Sequence, residues 1–205
     1  MQVSNNISPI DNWNQFILDG NLDALSQIYF HYYDCLFDYG LKHTSDKQLV
    51  EDTIQNVFIN FIKFRESIGS VKNLTGYLIS TFRRQLYLDL NKHKKTILTE
   101  QFPEEHFDYF RCPEQDLSDV ENKERLYSAI EQCISKLTDK QREIIFLRFE
   151  REISYDEIAQ ILNISVESCY KSSYRSIKII KSGVEKILGK AGNIFICIFF
   201  RSANF

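Results

Sequence analysis

The sequence predicts an all-α protein: two small helical domains joined by an acidic linker, with a helix-turn-helix in the second. Three observations lead there. Seven Gly and three Pro in 205 residues are too few for the turns of a β sandwich or barrel. Apolar residues recur at spacings of three and four through most of the chain, the period of a helix with one buried face. Thr138-x-x-Gln141 and Ser154-x-x-Glu157 have the form of capping boxes. In that motif the hydroxyl and the later side chain satisfy each other's free backbone N–H groups at a helix start.

The first helix is expected over 21–44, where Leu22, Leu25, Ile28, Tyr29, Tyr32, Leu36 and Tyr39 share a face. A second starts near Asp46 and turns Leu49, Ile54, Val57, Phe58, Phe61 and Ile62 inward, until Gly69 and Ser70 break the pattern. A third runs over 73–92 with Leu74, Tyr77, Leu78, Phe82 and Leu86 inward. Its basic end complements the negative end of the helix dipole. Periodicity is lost after residue 95 and returns near Val120. The domains expected are therefore 1–95, a linker over 96–124, a second domain over 125–188 and an apolar tail over 189–205 that contains "IFICIFF".

The formal net charge is −3, so the whole chain is not a basic nucleic-acid binder, but its charge is segregated. Arg83, Arg84, Lys92, Lys94 and Lys95 face only Asp89 between residues 83 and 95. Nine anions stand against Arg111 and Lys123 over 100–124, and six cations against Glu167 and Glu185 over 165–190. Two basic patches that flank an acidic segment can hold a polyanion locally. The five cysteines are scattered with no CxxC pair, as expected of small buried hydrophobes in a reducing compartment. With no basic n-region, no apolar h-region at the N-terminus and no run of about 18 apolar residues, the expectation is a cytoplasmic protein, not itself a membrane protein.

The stretch "ISYDEIAQILNISVESCYKSSYRSIKIIK" carries the functional signal. A short capped helix ends at Asn163, which tolerates the left-handed backbone of a helix-turn-helix turn. Ser165 can cap the next helix. One face of that helix reads Val166, Cys169, Ser173, Ile177, Ile180, Val184 and Ile187, a core stripe. The other offers Ser168, Lys171, Ser172 and Arg175, with Tyr170 at its margin. Hydroxyls and cations on the first half of a second helix suit base edges in a major groove and the phosphates beside it. A solvated polar face on a helical hairpin is the plainer reading of the same residues.

Two further faces carry chemistry. In "EDTIQNVF", Glu51, Asp52, Gln55 and Asn56 lie opposite Ile54, Val57, Phe58 and Phe61, so carboxylates and amides could meet basic groups on a partner. Tyr77, Arg83, Arg84, Asn91, Lys92, Lys94 and Lys95 combine a ring with cations, the ingredients of single-strand capture. Cations track the backbone there and rings accept unstacked bases at about 1–3 kcal/mol each.

These blocks resemble a known family. "LTDKQREIIFLRFEREISYDEIAQILNIS" is similar to the fourth region of bacterial RNA polymerase sigma factors, "LVEDTIQNVFINFIKF" to their second region, and "YLISTFRRQLYLDLNKHKK" to the segment that follows it. Their order and spacing resemble the extracytoplasmic-function (ECF) subfamily. The resemblance implies a protein that binds core RNA polymerase through Glu51, Asp52, Gln55 and Asn56. It implies melting and capture of the downstream promoter element by the segment from Tyr77 to Lys95. It implies reading of the upstream element by Ser165, Ser168, Tyr170, Lys171, Ser172 and Arg175. An anti-sigma partner, and a linker that enters the polymerase channel, are implied in the same way. Tyr77 stands where the family often carries Trp.

No P-loop, nucleophile elbow or HExxH is present, so no enzyme activity, cofactor or metal is expected. "EEHFDYF" lacks a rigid helix pair to present metal ligands. The alternatives are a helix-turn-helix regulator that acts without a sigma role, and a helical protein-interaction module whose basic faces are merely solvated.

Overall fold

A computed structural model describes residues 8–95, 107 and 121–189. All regular structure among them is helical. The chain divides into two compact units, Met1–Pro103 and Glu104–Phe205.

The first unit packs α1 (Pro9–Asp19), α2 (Leu22–Leu41), α3 (Lys47–Phe64) and α4 (Leu74–Lys95), with a 3₁₀ turn at Arg65–Ser67. The second and third expected helices are α3 and α4, and the first is α2. Helix α1 was not expected from the spacing. Ser8 caps it by accepting from the Asp11 N–H, Pro9 opens it, and Gly20 ends it in the left-handed region at φ 70°. Its buried face is Asn12, Trp13 and Phe16. Trp13 lies edge-on to Phe61 at 5.2 Å and to Tyr77 at 5.6 Å, so α1 closes one end of an aromatic core. At the other end, Gly40 admits α3 and α4 close to α2. A Cβ there would stand 2.6 Å from Val50 Cγ1 and 3.0 Å from the Phe82 ring. Ile62, expected inward, is half exposed. It sits one turn after Ile59, itself 43% exposed, on the outer side of α3.

The second unit packs α5 (Glu121–Ile134), α6 (Asp139–Ile145) with a following π turn at Phe146–Glu150, and α7 (Tyr155–Ile161), all against the long α8 (Val166–Leu188). Both capping boxes form. The Thr138 N–H donates to Gln141 Oε1 at 3.0 Å and the Ser154 N–H to Glu157 Oε2 at 2.6 Å. Each reciprocal N–H donates to the capping hydroxyl at 3.3 Å. The π turn, an extra residue inserted in the helical ladder, re-aims the chain into α7. Glu152 then takes φ 55°, a left-handed conformation that costs a residue with a Cβ about 1–2 kcal/mol. Glu152→Gly is expected to stabilise this unit by about 0.5–1 kcal/mol, less than the strain because glycine also frees the unfolded chain. A rise of a few degrees in its melting temperature checks this.

Phe107, placed in the linker by its sequence context, packs on the second unit. It is buried against Phe146. The expected linker ends too late, since residues 121–124 already form the first turn of α5; the rest of it and "IFICIFF" of the tail lie outside the described residues.

Candidate nucleic-acid and polymerase interfaces

The helix-turn-helix is built from local signals. At the end of α7 the Ile164 N–H donates to the Ala159 carbonyl at 2.9 Å and the Asn163 N–H to that of Gln160 at 3.3 Å. Asn163 adopts φ 51°, as its tolerance of that region predicts. Ser165 then caps α8, its Oγ accepting from the Ser168 N–H at 3.1 Å and donating to Ser168 Oγ at 2.8 Å. Ala159 is buried at the crossing. A further lock joins the two helices: Tyr155 and Ser173 share a hydroxyl hydrogen bond at 2.8 Å, and the Tyr155 ring packs 4.1 Å from that of Tyr170. The Arg148 guanidinium sits 5.0 Å over the Tyr155 ring. These contacts fix how α8 is presented.

The inward stripe of α8 is Cys169, Ser173, Ser176, Ile180 and Val184. Ser176 was missing from the expected stripe. Its hydroxyl is satisfied by the Ser172 carbonyl at 2.9 Å, so a polar residue sits in the core at little cost. Burial pushes the Cys169 thiol up to about 11, which keeps it an inert packing group. Ile187, expected in this stripe, is 44% exposed. On the outer face Ser165, Ser168, Tyr170, Lys171 and Arg175 are exposed and Ser172 is half-buried. Lys171 pairs with Glu167 at 2.6 Å. That exposed pair contributes at most about 1 kcal/mol, so Lys171 can exchange it for a phosphate. Tyr174 and Lys178 are exposed on the same side. Their spacing of three and seven from Lys171 was the signal that could have found them.

On α3, Asp52, Gln55 and Asn56 are exposed and Glu51 is half-buried. Asp52 accepts from Gln48 Nε2 at 2.9 Å. Burial, and then the neighbouring Glu51 carboxylate, raise the Tyr33 phenol above its usual range. Tyr33 also hydrogen-bonds Glu51. It therefore stands at the edge of this face, a neighbour that spacing along α3 could not reveal.

On α4, Arg84 is exposed, and Arg83 lies 4.8 Å over the Tyr87 ring. Asn91 is half-buried, and the exposed Lys92 pairs with Asp89 at 3.1 Å. Asp89 also accepts from Gln85 and from the Thr53 hydroxyl, so it ties α4 to α3. Lys94 and Lys95 lie in the last turn of α4, with side chains outside the described residues. Tyr77 is half-buried. Phe61 stacks on its ring at 5.8 Å, and burial raises its phenol. Part of the ring is thus committed to the core, and only the remainder can meet a base. Phe82 is wholly buried.

Among the described residues no group of His, Cys, Asp and Glu could hold a metal ion, and no helix is long and apolar enough to cross a membrane.

Comparison with known proteins gives concordant results. The family described as Sigma-70, region 4 matches residues 127–179, which span α5 to most of α8. RNA polymerase sigma factor YlaC of Bacillus subtilis is 24% identical over 172 residues, 80% of this chain and 94% of that protein. ECF RNA polymerase sigma factor SigM of the same organism is 28% identical over 150 residues, 73% of this chain and 87% of that protein. Two solved structures share the fold at 15% identity. CnrH, in complex with the cytosolic domain of CnrY, has a TM-score of 0.56 and covers 87% of this chain and 97% of its own. The sigma factor RpoE of Bartonella quintana, in complex with the anti-sigma factor NepR, has a TM-score of 0.54 and covers 78% and 96%.

Proposed function

The chain belongs to the extracytoplasmic-function sigma factors, and from that premise we propose which of its residues perform each part of initiation. Such a protein is a transcription regulator rather than an enzyme: it binds core RNA polymerase, recognises promoter DNA and promotes transcription initiation. The observation that carries the assignment is the region 4 match over a helix-turn-helix whose second helix holds Lys171 and Arg175 in solvent.

Ser165, Ser168, Tyr170, Lys171, Ser172 and Arg175 contact the upstream element. The N-terminal half of α8 enters the major groove, with hydroxyls toward base edges and cations toward phosphates. Residues 125–188 form that domain. Glu51, Asp52, Gln55 and Asn56, in the domain over 1–95, dock on the polymerase. Carboxylates and amides there complement a basic partner surface. Arg83, Arg84, Asn91, Lys92, Lys94 and Lys95 track the backbone of the opened strand, and the free part of Tyr77 takes an unstacked base. Each captured base offsets the cost of opening a step, so melting needs no ATP. The acidic connector over 96–120 enters a groove built for nucleic acid. An anti-sigma factor is the expected regulator, since related folds were solved with the cytosolic domain of CnrY and with NepR.

The test is charge reversal at the docking face. In Asp52→Lys/Gln55→Lys, affinity for core polymerase is expected to fall on the order of ten- to a hundredfold, about 1.4–2.7 kcal/mol. Neither side chain is buried, so thermal stability should hold. Pull-down with core enzyme and transcription from a target promoter read the outcome. Unchanged polymerase binding would reject this face as the docking site. A simple helix-turn-helix regulator would instead keep full promoter binding without polymerase.

A further inference from the structure

Arg83 and Tyr87 stand four residues apart on α4, the spacing at which side chains of a helix meet. The Arg83 guanidinium lies 4.8 Å over the Tyr87 ring, inside the reach of about 6 Å for a cation–π contact. That ring is itself held from outside α4. Its hydroxyl shares a hydrogen bond with His43 Nδ1 at 3.3 Å, and the two rings meet edge to face at 5.4 Å. His43 follows α2, is buried, and packs at 4.9 Å on the wholly buried Tyr39. A core tyrosine thus fixes a histidine, the histidine fixes Tyr87, and Tyr87 offers its face to Arg83. The hold on Lys92 is different in kind. Lys92 gives its charge to the Asp89 carboxylate at 3.1 Å, and a phosphate has to displace that carboxylate. A ring face takes none of the guanidinium N–H donors and leaves the charge whole. It removes rotamer freedom instead, which a long side chain otherwise loses at the moment of binding.

We propose that Tyr87 is a positioning residue for promoter opening: it holds the Arg83 guanidinium in place for a phosphate of the opened strand. This role rests on the strand-capture reading of Arg83 given above. Tyr87 itself touches no DNA in it. The ring lowers the cost of ordering Arg83, and His43 keeps the ring at its station.

The experiment forms open complexes from core polymerase, the full chain and a target promoter, and reads unpaired thymines with permanganate across a salt series. Arg83→Ala, Tyr87→Leu and the double change are compared. Tyr87→Leu should lower the opening constant roughly two- to fivefold, the strength of a cation–π contact at a partly exposed site. The same change on the Arg83→Ala background should do almost nothing. Each phosphate contact to a single strand contributes a slope of about −0.7 in log K against log salt. Tyr87→Leu should therefore flatten the slope toward that of Arg83→Ala, although it removes no charge. A merely structural role would leave the slope alone. Tyr87→Phe keeps the ring and should keep most of the opening and the slope. If Tyr87→Leu unfolds the first unit, progressively fluorinated phenylalanine in place of Tyr87 decides the matter. Fluorine drains the negative face of the ring with little change of shape, so opening should fall stepwise with Arg83 present and stay level without it. Equal losses on both backgrounds, or an unchanged slope, overturn the positioning role. If Arg83→Ala lowers opening but shows no coupling to Tyr87, the positioning role alone is lost. If Arg83→Ala costs nothing, the strand-contact reading of Arg83 is lost and the positioning role with it.

Discussion

Replacing Trp13 by alanine is expected to cost the first unit about 3–5 kcal/mol, the range for deleting a large buried aromatic. Trp13 is 1% exposed and touches Phe16, Phe61 and Tyr77 with ring centroids at 5.8, 5.2 and 5.6 Å. Through the rings of Phe61 and Tyr77 it joins α1 to α3 and α4. A unit of about this size has about 5–15 kcal/mol to lose in all, so its melting temperature should fall by more than ten degrees. Circular dichroism reads the loss. In the unaltered protein, fluorescence of this single tryptophan reports the same transition. A shift of only one or two degrees would mean that α1 is peripheral to the core. Under the strand-capture role proposed for Tyr77 the change should also weaken promoter opening, because Trp13 and Phe61 together hold Tyr77 in place on α4.

Gly183→Ala should destabilise the second unit by about 1–3 kcal/mol, as overpacking does, although alanine is the better helix former by about 1 kcal/mol. The added methyl would lie far inside contact distance of Cys133 Sγ. Gly183 is where α8 crosses α5, and Cys133 is wholly buried there; burial also pushes its thiol pKa up. The neighbouring Cys133 Cβ is at an ordinary 3.5 Å from the new methyl. Removing the sulfur should therefore remove the clash. Gly183→Ala/Cys133→Ala should melt above the sum of the two single effects, with a coupling of about 1–3 kcal/mol. Strict additivity would show that the helices shift apart to absorb the methyl. Since α5 backs the helix that presents Lys171 and Arg175, weaker promoter binding should accompany the single change and recover in the double.

Much of the candidate site was legible in the linear order of residues. Both capping boxes, the turn at Asn163 and the outward aim of Lys171 and Arg175 come from interactions between residues one to four apart. Spacing encodes such interactions directly. The same holds for the exposed Asp52, Gln55 and Asn56 on α3. Where periodicity was extended to helix ends it failed. Ile62 and Ile187 keep the period, yet both are exposed.

What the sequence by itself determined is where helices start, stop and turn, and which of their faces carry charge. Only the tertiary structure decided that α1 completes the aromatic core, that Tyr77 shares its ring with Phe61, that Tyr33 meets Glu51, and that Phe107 seats on Asp139, Arg142 and Phe146. The partners in each of those contacts lie from 16 to 64 residues apart. Phe107 is one of four aromatic residues in its acidic stretch, with Phe102, Tyr109 and Phe110, and no period marks it out. Its place is set by which surfaces the packed helices leave open, and that is known only once the chain has closed on itself.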